Sequence, residues 1–514
     1  MSEAQDQQYD QADAIALLSD PATFGLSEPV QRIDTHAAIV FLAGEKAYKL
    51  KRAVRYAYLD HSTAAKRKAV CEAELRLNRR TAPDLYCAVR YVGRRPDGSL
   101  ALDEGEPVDW LVAMRRFDAD CLLDSMAGQG GLDPLLIRKL ADAIAGFHGE
   151  AEAIEDDGVS RVRAVIEGNL TSMEALPEGV IDKPTRERLC AQSLAALDAC
   201  APLLRERAKA GLVRHCHGDL HLANICLWKG QPTLFDCLEF DPELATTDVL
   251  YDLAFLLMDL CHRGLRGEAN RLLNRYCDMR GETRGLAAMP LFLSMRAAIR
   301  AHVGALAAGT QEDESGRTQV LDEVRRYMDE AFAFLEHKPA RLVAVGGLSG
   351  TGKSTLAGRL APCLGCAPGA RWLRTDVLRK RILGLVPEER LPPSAYTLEA
   401  TRKVYHRLLD DTRALLESGV TVVLDGVFGV EGDRREVEAL ATELGVPFVG
   451  LWLEAPVDVL RQRVEAREGD ASDADATIVA LQSRHDVGDL AGWHRIAAEG
   501  TPQSVLERAR AVCA

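Results

Sequence analysis

The chain has 514 residues, well beyond a single domain, so roughly two to four separate cores are expected. It is 47% hydrophobic and 27% charged, with no low-complexity tract, which excludes a disordered or fibrous protein. A formal net charge of -14 excludes a whole-molecule field that would attract nucleic acid or an anionic membrane.

The opening MSEAQDQQYDQADA is acidic where a signal peptide would be basic and then apolar, and the chain has no run of about 18 apolar residues. Thirteen cysteines, an odd and scattered set, read as reduced thiols. A cytoplasmic address follows as the expectation, with small-molecule substrates and without nucleic-acid or membrane partners. The CLGC pair, Cys363 and Cys366, has no second pair to complete a metal or redox set and is read as two local cysteines.

In chain order, IDTHAAIVFLAGEKAYKLK gives two apolar-rich extended runs around AGEK, a hairpin signal with Gly44 at the turn. A helix is predicted over about 62 to 81, a strand near 88 to 92, and a further strand in VDWLVAMRRF, 108 to 117. Apolar positions at helical spacing then recur in LLIRKLADAIAGFHGEAEA, in 186 to 209, and through much of 245 to 335. Near 336 the pattern changes. RLVAVGGLSGTGKSTLAGRLA reads as strand, Gly-rich turn and helix, and GVTVVLDG and VPFVGLWLEA add strands separated by helical segments, which indicates a parallel sheet with covering helices. Two domains are expected, 1–337 (α+β) and 338–514 (α/β).

The segment HGDLHLANICLWKGQPTLFD, 217 to 236, keeps the spacing of the protein-kinase catalytic loop, H-R-D-x-x-x-x-N, with Gly in place of Arg. Asp219 stands where the proton acceptor would be and Asn224 where a metal ligand would be. Asp236 follows an apolar run at the position of the second metal-binding Asp. Clustered His215, His217 and His221 offer a zinc reading, in which the Asn and the later Asp have no part. This pattern resembles the aminoglycoside phosphotransferase family, which has a protein-kinase-like fold and includes choline and fructosamine kinases, over roughly residues 30 to 335. The resemblance implies ATP and Mg²⁺, and a Lys–Glu clamp on ATP drawn from AYKLK and CEAELRLN. Lys49 and Lys51 share a strand face, being two apart. Spacing from the Gly44 turn favours Lys51, and Glu72 is preferred to Glu74. No G-x-G-x-x-G loop precedes AYKLK. Asp248 and Asp252, in TTDVLYDLAFLLMDL, read as helix caps or anchors rather than substrate ligands.

In the second half, Gly347, Leu348, Ser349, Gly350, Thr351, Gly352, Lys353, Ser354 and Thr355 contain G-x-x-x-x-G-K-[ST] between a strand and a helix, the context that makes it a phosphate-binding loop. Backbone N–H groups would cradle phosphate oxygens, Lys353 would reach the β and γ phosphates, and Ser354 would hold Mg²⁺. Asp425 ends the apolar TVVLD run and suits the Walker B role. Asp376 and Arg379, in RTDVLRKRI, combine a carboxylate able to take a hydroxyl proton with a guanidinium able to hold an acceptor. Arg461, Arg463 and Arg467 precede an acidic stretch that reads as a lid, with its arginines over the transferring phosphate.

These elements resemble the small P-loop kinases grouped with gluconate kinase, shikimate kinase and the kinase half of polynucleotide kinase. The resemblance implies Asp376 as general base and Arg379 in the acceptor site. Joined, the halves resemble a bacterial family of fusion proteins, an aminoglycoside phosphotransferase-like domain followed by a P-loop kinase. The expectation is a bifunctional ATP- and Mg²⁺-dependent phosphotransferase acting on small-molecule hydroxyls. In the alternative, one domain senses nucleotide and regulates the other.

Overall fold

The computed structural model describes residues 11–35, 37–56, 59–308, 314–466, 475–484 and 486–513. Packing divides the chain into two compact units, Met1–Ile154 with Val213–Asp252, and Glu155–Leu212 with Leu253–Ala514.

The first unit is built on an antiparallel sheet of six strands: β1 (Gln31–Asp34), β2 (Ala38–Ala43), β3 (Lys46–Lys51), β4 (Tyr86–Arg94), β5 (Leu100–Leu102) and β6 (Glu106–Arg115), in the order β1-β2-β3-β6-β4-β5. The predicted hairpin forms, with Ala43 opposite Lys46 and Gly44 at φ 55°; a left-handed turn residue is what a tight hairpin needs. Ile39, Phe41, Tyr48, Leu50, Leu111 and Ala113 build one core of the sheet with Ala14 and Leu18.

Helix α1 (Ala64–Asn78) begins at Thr63, whose hydroxyl accepts from the Lys66 N–H. It is tied to β6 by Arg67 Nε to Asp109 Oδ1 at 2.6 Å, a pair with 1% and 0% side-chain exposure. Helix α2 (Pro134–Glu150) is capped by Asp133, and the hairpin Ile225–Trp228/Gln231–Leu234 carries the loop that follows the HGD motif.

The second unit holds a parallel sheet: β7 (Leu342–Gly347), β8 (Arg371–Arg374), β9 (Val422–Asp425), β10 (Phe448–Glu454) and β11 (Trp493–Ala497), ordered β8-β9-β7-β10-β11. Every residue of β7 is buried, as a central parallel strand covered on both faces requires. Strand order reverses beside β7, the place where open α/β sheets bind ligands at their carboxyl ends. Strand β11 escaped the sequence reading, because only Trp493 and Ile496 of its five residues are buried.

Helix α4 (Arg266–Arg280), which follows α3 (Val249–His262), covers the outer edge of β8. Asn270 and Asn274 Nδ2 donate to the Ala370 carbonyl at 3.0 and 3.2 Å, the Trp372 N–H donates to Asn274 Oδ1 at 2.7 Å, and Arg371 Nη2 meets Asp278 Oδ1 at 2.5 Å. An edge strand otherwise presents unpaired backbone groups. These bonds explain why residues from Leu253 onward pack with the parallel sheet, although the sequence boundary at 337/338 falls between the helix ending at Leu335 and β7. All thirteen cysteines are free. No helix among the described residues is long and apolar enough to cross a membrane.

Candidate active sites

In the first unit the HGD loop is held from behind. Gly218 has φ 83°, and a Cβ there would lie 2.9 Å from Leu238 Cβ and 3.3 Å from Ala245 Cα, so glycine is required by both backbone and space. Its N–H donates to Asp252 Oδ1 at 2.8 Å and the His217 N–H to Asp252 Oδ2 at 3.3 Å, while His148 Nε2 bonds the same carboxylate at 3.0 Å. His148 and Asp252 are fully buried. The sequence reading of Asp252 as an anchor rather than a ligand fits this placement, and what it anchors is the motif loop. His148 was missed; its only sequence signal is a polar residue on the buried stripe of α2. Asp248 caps α3 by accepting from the Leu250 N–H at 2.8 Å.

The front of the loop joins the later Asp. Asn224 Nδ2 donates to Asp219 Oδ2 and to the Asp219 carbonyl, both at 2.9 Å. The Phe235 N–H donates to the Asn224 carbonyl at 3.0 Å, and His217 Nε2 meets the Phe235 carbonyl at 3.0 Å. Asp236 therefore lies beside the loop. Its φ of 60° is a conformation a non-Gly residue holds only when its surroundings enforce it.

The three histidines of the zinc reading do not converge among the described residues. The group whose ligand atoms lie within 4.8 Å of one another is instead His148, Cys216 and Asp252, and it is already occupied. Asp252 serves His148 and two backbone amides, and Cys216 Sγ contacts the Thr247 carbonyl at 3.5 Å.

In the charge clamp the partner of the lysines is Glu74, not the expected Glu72. Glu74 has no exposure and gives one oxygen to Lys49 Nζ at 3.0 Å and the other to Lys51 Nζ at 2.5 Å. Glu72 points outward and, among the described residues, pairs only with Lys68, at 3.8 Å. Two residues apart on a helix are on nearly opposite sides, and Arg67, Cys71, Glu74 and Asn78 form the buried face.

Both lysines lie on one face, as their spacing requires, but they differ in what else they touch. Lys49 Nζ reaches Asp236 Oδ1 at 2.5 Å, whereas Lys51, the residue preferred from sequence, turns to Glu239. Burial opposes charge on Glu74, yet the two ammonium groups hold its carboxyl well below the usual range; burial dominates at Glu239 and raises it. Asn224 spends its amide N–H groups on Asp219 and keeps Oδ1, and Asp236 gives one oxygen to Lys49 and keeps the other. This donor set fits a hard cation such as Mg²⁺.

In the second unit Gly347, Gly350 and Gly352 have φ of 137°, 86° and 89°. A Cβ on Gly350 would stand 2.6 Å from the Leu460 carbonyl oxygen and one on Gly347 2.7 Å from that of Leu453. Leu348, Ser349 and Thr351 complete the loop, Thr351 Oγ1 donating to the Leu348 carbonyl at 2.8 Å. Lys353 opens helix α5 (Lys353–Leu360), followed by Ser354 and Thr355, and its Nζ donates to the Leu348 carbonyl at 3.1 Å. The Ser349 N–H is taken by Gln482 Oε1 at 2.9 Å.

Asp425, at the end of β9, is 4% exposed. Burial raises its pKa, against the opposing pull of Arg374, Lys353 and a hydrogen bond from Ser354. Its Oδ2 has no hydrogen-bond partner among the described residues and faces Arg374 Nε at 3.6 Å. A buried, unsatisfied carboxylate oxygen beside the Ser354 hydroxyl fits a bound Mg²⁺. The pairing of Arg374 with Asp425 across β8 and β9 puts Asp376, in the first turn of α6 (Thr375–Ile382), just beyond the strand ends on the same side.

Arg379, expected from the sequence in an acceptor site, has its Nη1 engaged within the protein, while its buried Nε has no hydrogen-bond partner among the described residues. It is 7% exposed, its Nη1 donates to the Ala395 carbonyl at 2.9 Å and Thr401 Oγ1 at 3.3 Å, and it lies 5.0 Å from the Tyr396 ring centroid. It fastens the 395–401 segment to α6. Arg463 is likewise engaged, its Nη2 donating to the Ala498 carbonyl at 3.0 Å, and Arg467 lies outside the described residues. The sequence reading missed Arg434. It is 1% exposed and bonds the Phe428 carbonyl at 2.8 Å and the Asp489 carbonyl at 2.7 Å, tying the segment after β9 to the loop before β11. No spacing in the sequence marks it.

Residues 71–287 match the family model described as the phosphotransferase enzyme family, and residues 342–486 one described as an AAA domain. The chain is 32% identical over 475 residues to an uncharacterized protein of Mycobacterium tuberculosis, covering 91% of this chain and 92% of the relative; a Mycobacterium bovis protein gives the same figures. A stretch of 120 residues is 36% identical to the adenylyl-sulfate kinase of Myxococcus xanthus, covering 23% of this chain and 59% of that enzyme.

Among solved structures, a choline/ethanolamine kinase family protein from Mesorhizobium loti is 16% identical with a TM-score of 0.36, over 62% of this chain and 97% of its own. A gluconokinase from Sinorhizobium meliloti is 18% identical with a TM-score of 0.25, over 34% and 95%. With the two family matches on either side of residues 288–341, and the mycobacterial relatives aligned along nine-tenths of the length, the chain belongs to the family of two-domain fusions that join an aminoglycoside phosphotransferase-type domain to a P-loop kinase domain.

Proposed function

We propose that the protein transfers phosphoryl groups from ATP to hydroxyls of small molecules at two independent sites. The observation that carries this reading is the convergence in the first unit of Asp219, Asn224, Asp236, Lys49 and Glu74, linked by bonds of 2.5 to 3.0 Å, together with a glycine-built phosphate loop beside Asp425 in the second.

At the first site Asp219, positioned by Asn224 and the Asp252-anchored loop, accepts the proton of the acceptor hydroxyl. Lys49, oriented by Glu74, steadies the phosphates of ATP. Asn224 and Asp236 hold Mg²⁺. At the second site the 347–355 loop and Lys353 bind phosphate, Ser354 and Asp425 hold Mg²⁺, and Asp376 takes the acceptor proton. Magnesium, when bound, offsets charge on the phosphate oxygens. The enzyme acts in the cytoplasm on sugars, amino sugars, amino alcohols or comparable hydroxyl compounds, without nucleic-acid partners. The adenylyl-sulfate kinase relative supports a small-molecule acceptor for the second site.

One observation favours the regulatory alternative. The sequence between β1 and β2, residues 35 to 37, contains no glycine, unlike the Gly-rich loop that protein kinases place over phosphates. A screen of hydroxyl compounds for ATP consumption tests both readings. Turnover that survives Asp219→Ala in full while Lys353→Ala abolishes it makes the first unit a sensor.

A further inference from the structure

Four arginines surround an open cleft of about 520 Å³ in the second unit, in the size range of ligand pockets. Arg266 and Arg271 come from α4, Arg359 from α5, and Arg510 from the helix α7 (Pro502–Cys513), with Gln503 and Cys363 between them. Among the described residues no carboxylate lines the cleft. Gathering four like charges is unfavourable, and it stands out in a chain with 77 acidic and 63 basic residues.

Other arginines in this unit meet carboxylates, as Arg371 does Asp278 and Arg381 does Asp411. Arg275, one turn from Arg271, forms a fork with both oxygens of Glu388 at 3.0 and 3.2 Å. Arg271, Arg359 and Arg510 have no carboxylate partner among the described residues. Arg266 is fixed by carbonyls instead, Nε to Pro368 at 3.3 Å and Nη2 to Gly365 at 3.1 Å, so its charge is positioned but not neutralised. Of the nearby acids, Glu507 is held by Gln503 Nε2 at 3.1 Å, and Glu268 lies on α4 outside the lining.

We propose that this cleft binds a small molecule bearing two or more phosphate-type anionic groups. Guanidinium forks match phosphate oxygens in geometry and charge, and the net charge of -14 disfavours a nucleic-acid strand as occupant. The site is separate from the nucleotide loop. Arg359 is in the last turn of α5 and Lys353 in its first, which puts the two about 9 Å apart along the helix. The cleft also draws α4 from the region matched by the phosphotransferase model and α5 from that matched by the AAA model, so it exists only in the fused chain.

The test uses the full chain carrying Lys353→Ala, to weaken the phosphate loop, titrated calorimetrically with inorganic tripolyphosphate, with a nucleoside triphosphate and with inorganic phosphate. The proposal expects tripolyphosphate binding that weakens at least tenfold, or by one stoichiometric site, when Arg271→Gln and Arg510→Gln are added, and that weakens similarly with Arg359→Gln alone. Unliganded melting temperature should stay the same. Stronger binding of the nucleoside triphosphate, lost through the same substitutions, identifies a nucleotide as the occupant; equal binding identifies the phosphate chain. Tripolyphosphate affinity and stoichiometry unchanged by the arginine substitutions would overturn the proposal.

Discussion

Glu72 and Glu74 differ by two positions on α1 and in their whole surroundings. Glu74 is enclosed between two ammonium groups, while Glu72 is in solvent. Glu74→Gln is expected to lower turnover at the first site about 10²-fold, the scale for losing a positioned electrostatic group, and Glu72→Gln to leave it unchanged, in a phosphotransfer assay on the same acceptor. Gly218→Ala forces a left-handed alanine, costing roughly 1–3 kcal/mol before the contact with Leu238 is counted; urea unfolding of the first unit measures it. That Asn224 meets Asp219 in one loop and that 347–355 forms a glycine turn between strand and helix was legible from fixed residue types at fixed spacing. The choice of Glu74, the support from His148 and the tie made by Arg434 were not, because each depends on which face of a helix or loop meets another segment far away in sequence.

At the scale of elements, α1 positions Glu74 only while α1 itself stays on the sheet. Arg67→Ala leaves Asp109 buried without its guanidinium, with Gln11 Nε2 at 2.7 Å as a remaining neutral partner. A loss of about 3–5 kcal/mol is expected from denaturant unfolding. His61, beside the start of α1, adds a pH dependence. Burial, with Lys51 and Arg67 nearby, pulls its pKa down to about 4, and neither ring nitrogen has a partner among the described residues. The folded state therefore holds His61 neutral. As pH falls from about 6.5 to about 4, the unfolded chain binds a proton that the folded chain does not, and stability falls. His61→Leu should flatten this part of the stability–pH curve for the first unit. Strong hairpin and strand–loop–helix signals made β2, β3, β7 and α5 legible from sequence. Strand β11 was not, since its half-exposed residues acquire strand character only by pairing with β10 from Gly450 to Glu454.

For the molecule as a whole, the sequence shows two motif sets but not which helices pack with which sheet. The hydrophobic spacing that identifies α4 as a helix carries no mark of Asn270, Asn274 and Asp278 as the partners of β8. A fragment of residues 338–514 leaves Arg371, 1% exposed in its pair with Asp278, without that carboxylate and uncovers the β8 edge. It is expected to unfold at lower denaturant than the parallel-sheet unit of the intact chain, read by tryptophan fluorescence.

The proposed function places two separate catalytic centres in one chain. Its most direct test is transfer of labelled γ-phosphate from ATP to acceptor compounds by wild type, Asp219→Ala and Lys353→Ala proteins. Each substitution is expected to remove one product, with a loss of at least about 10², and to spare the other. Products that vanish together in either variant, or that all persist in Asp219→Ala, would contradict it.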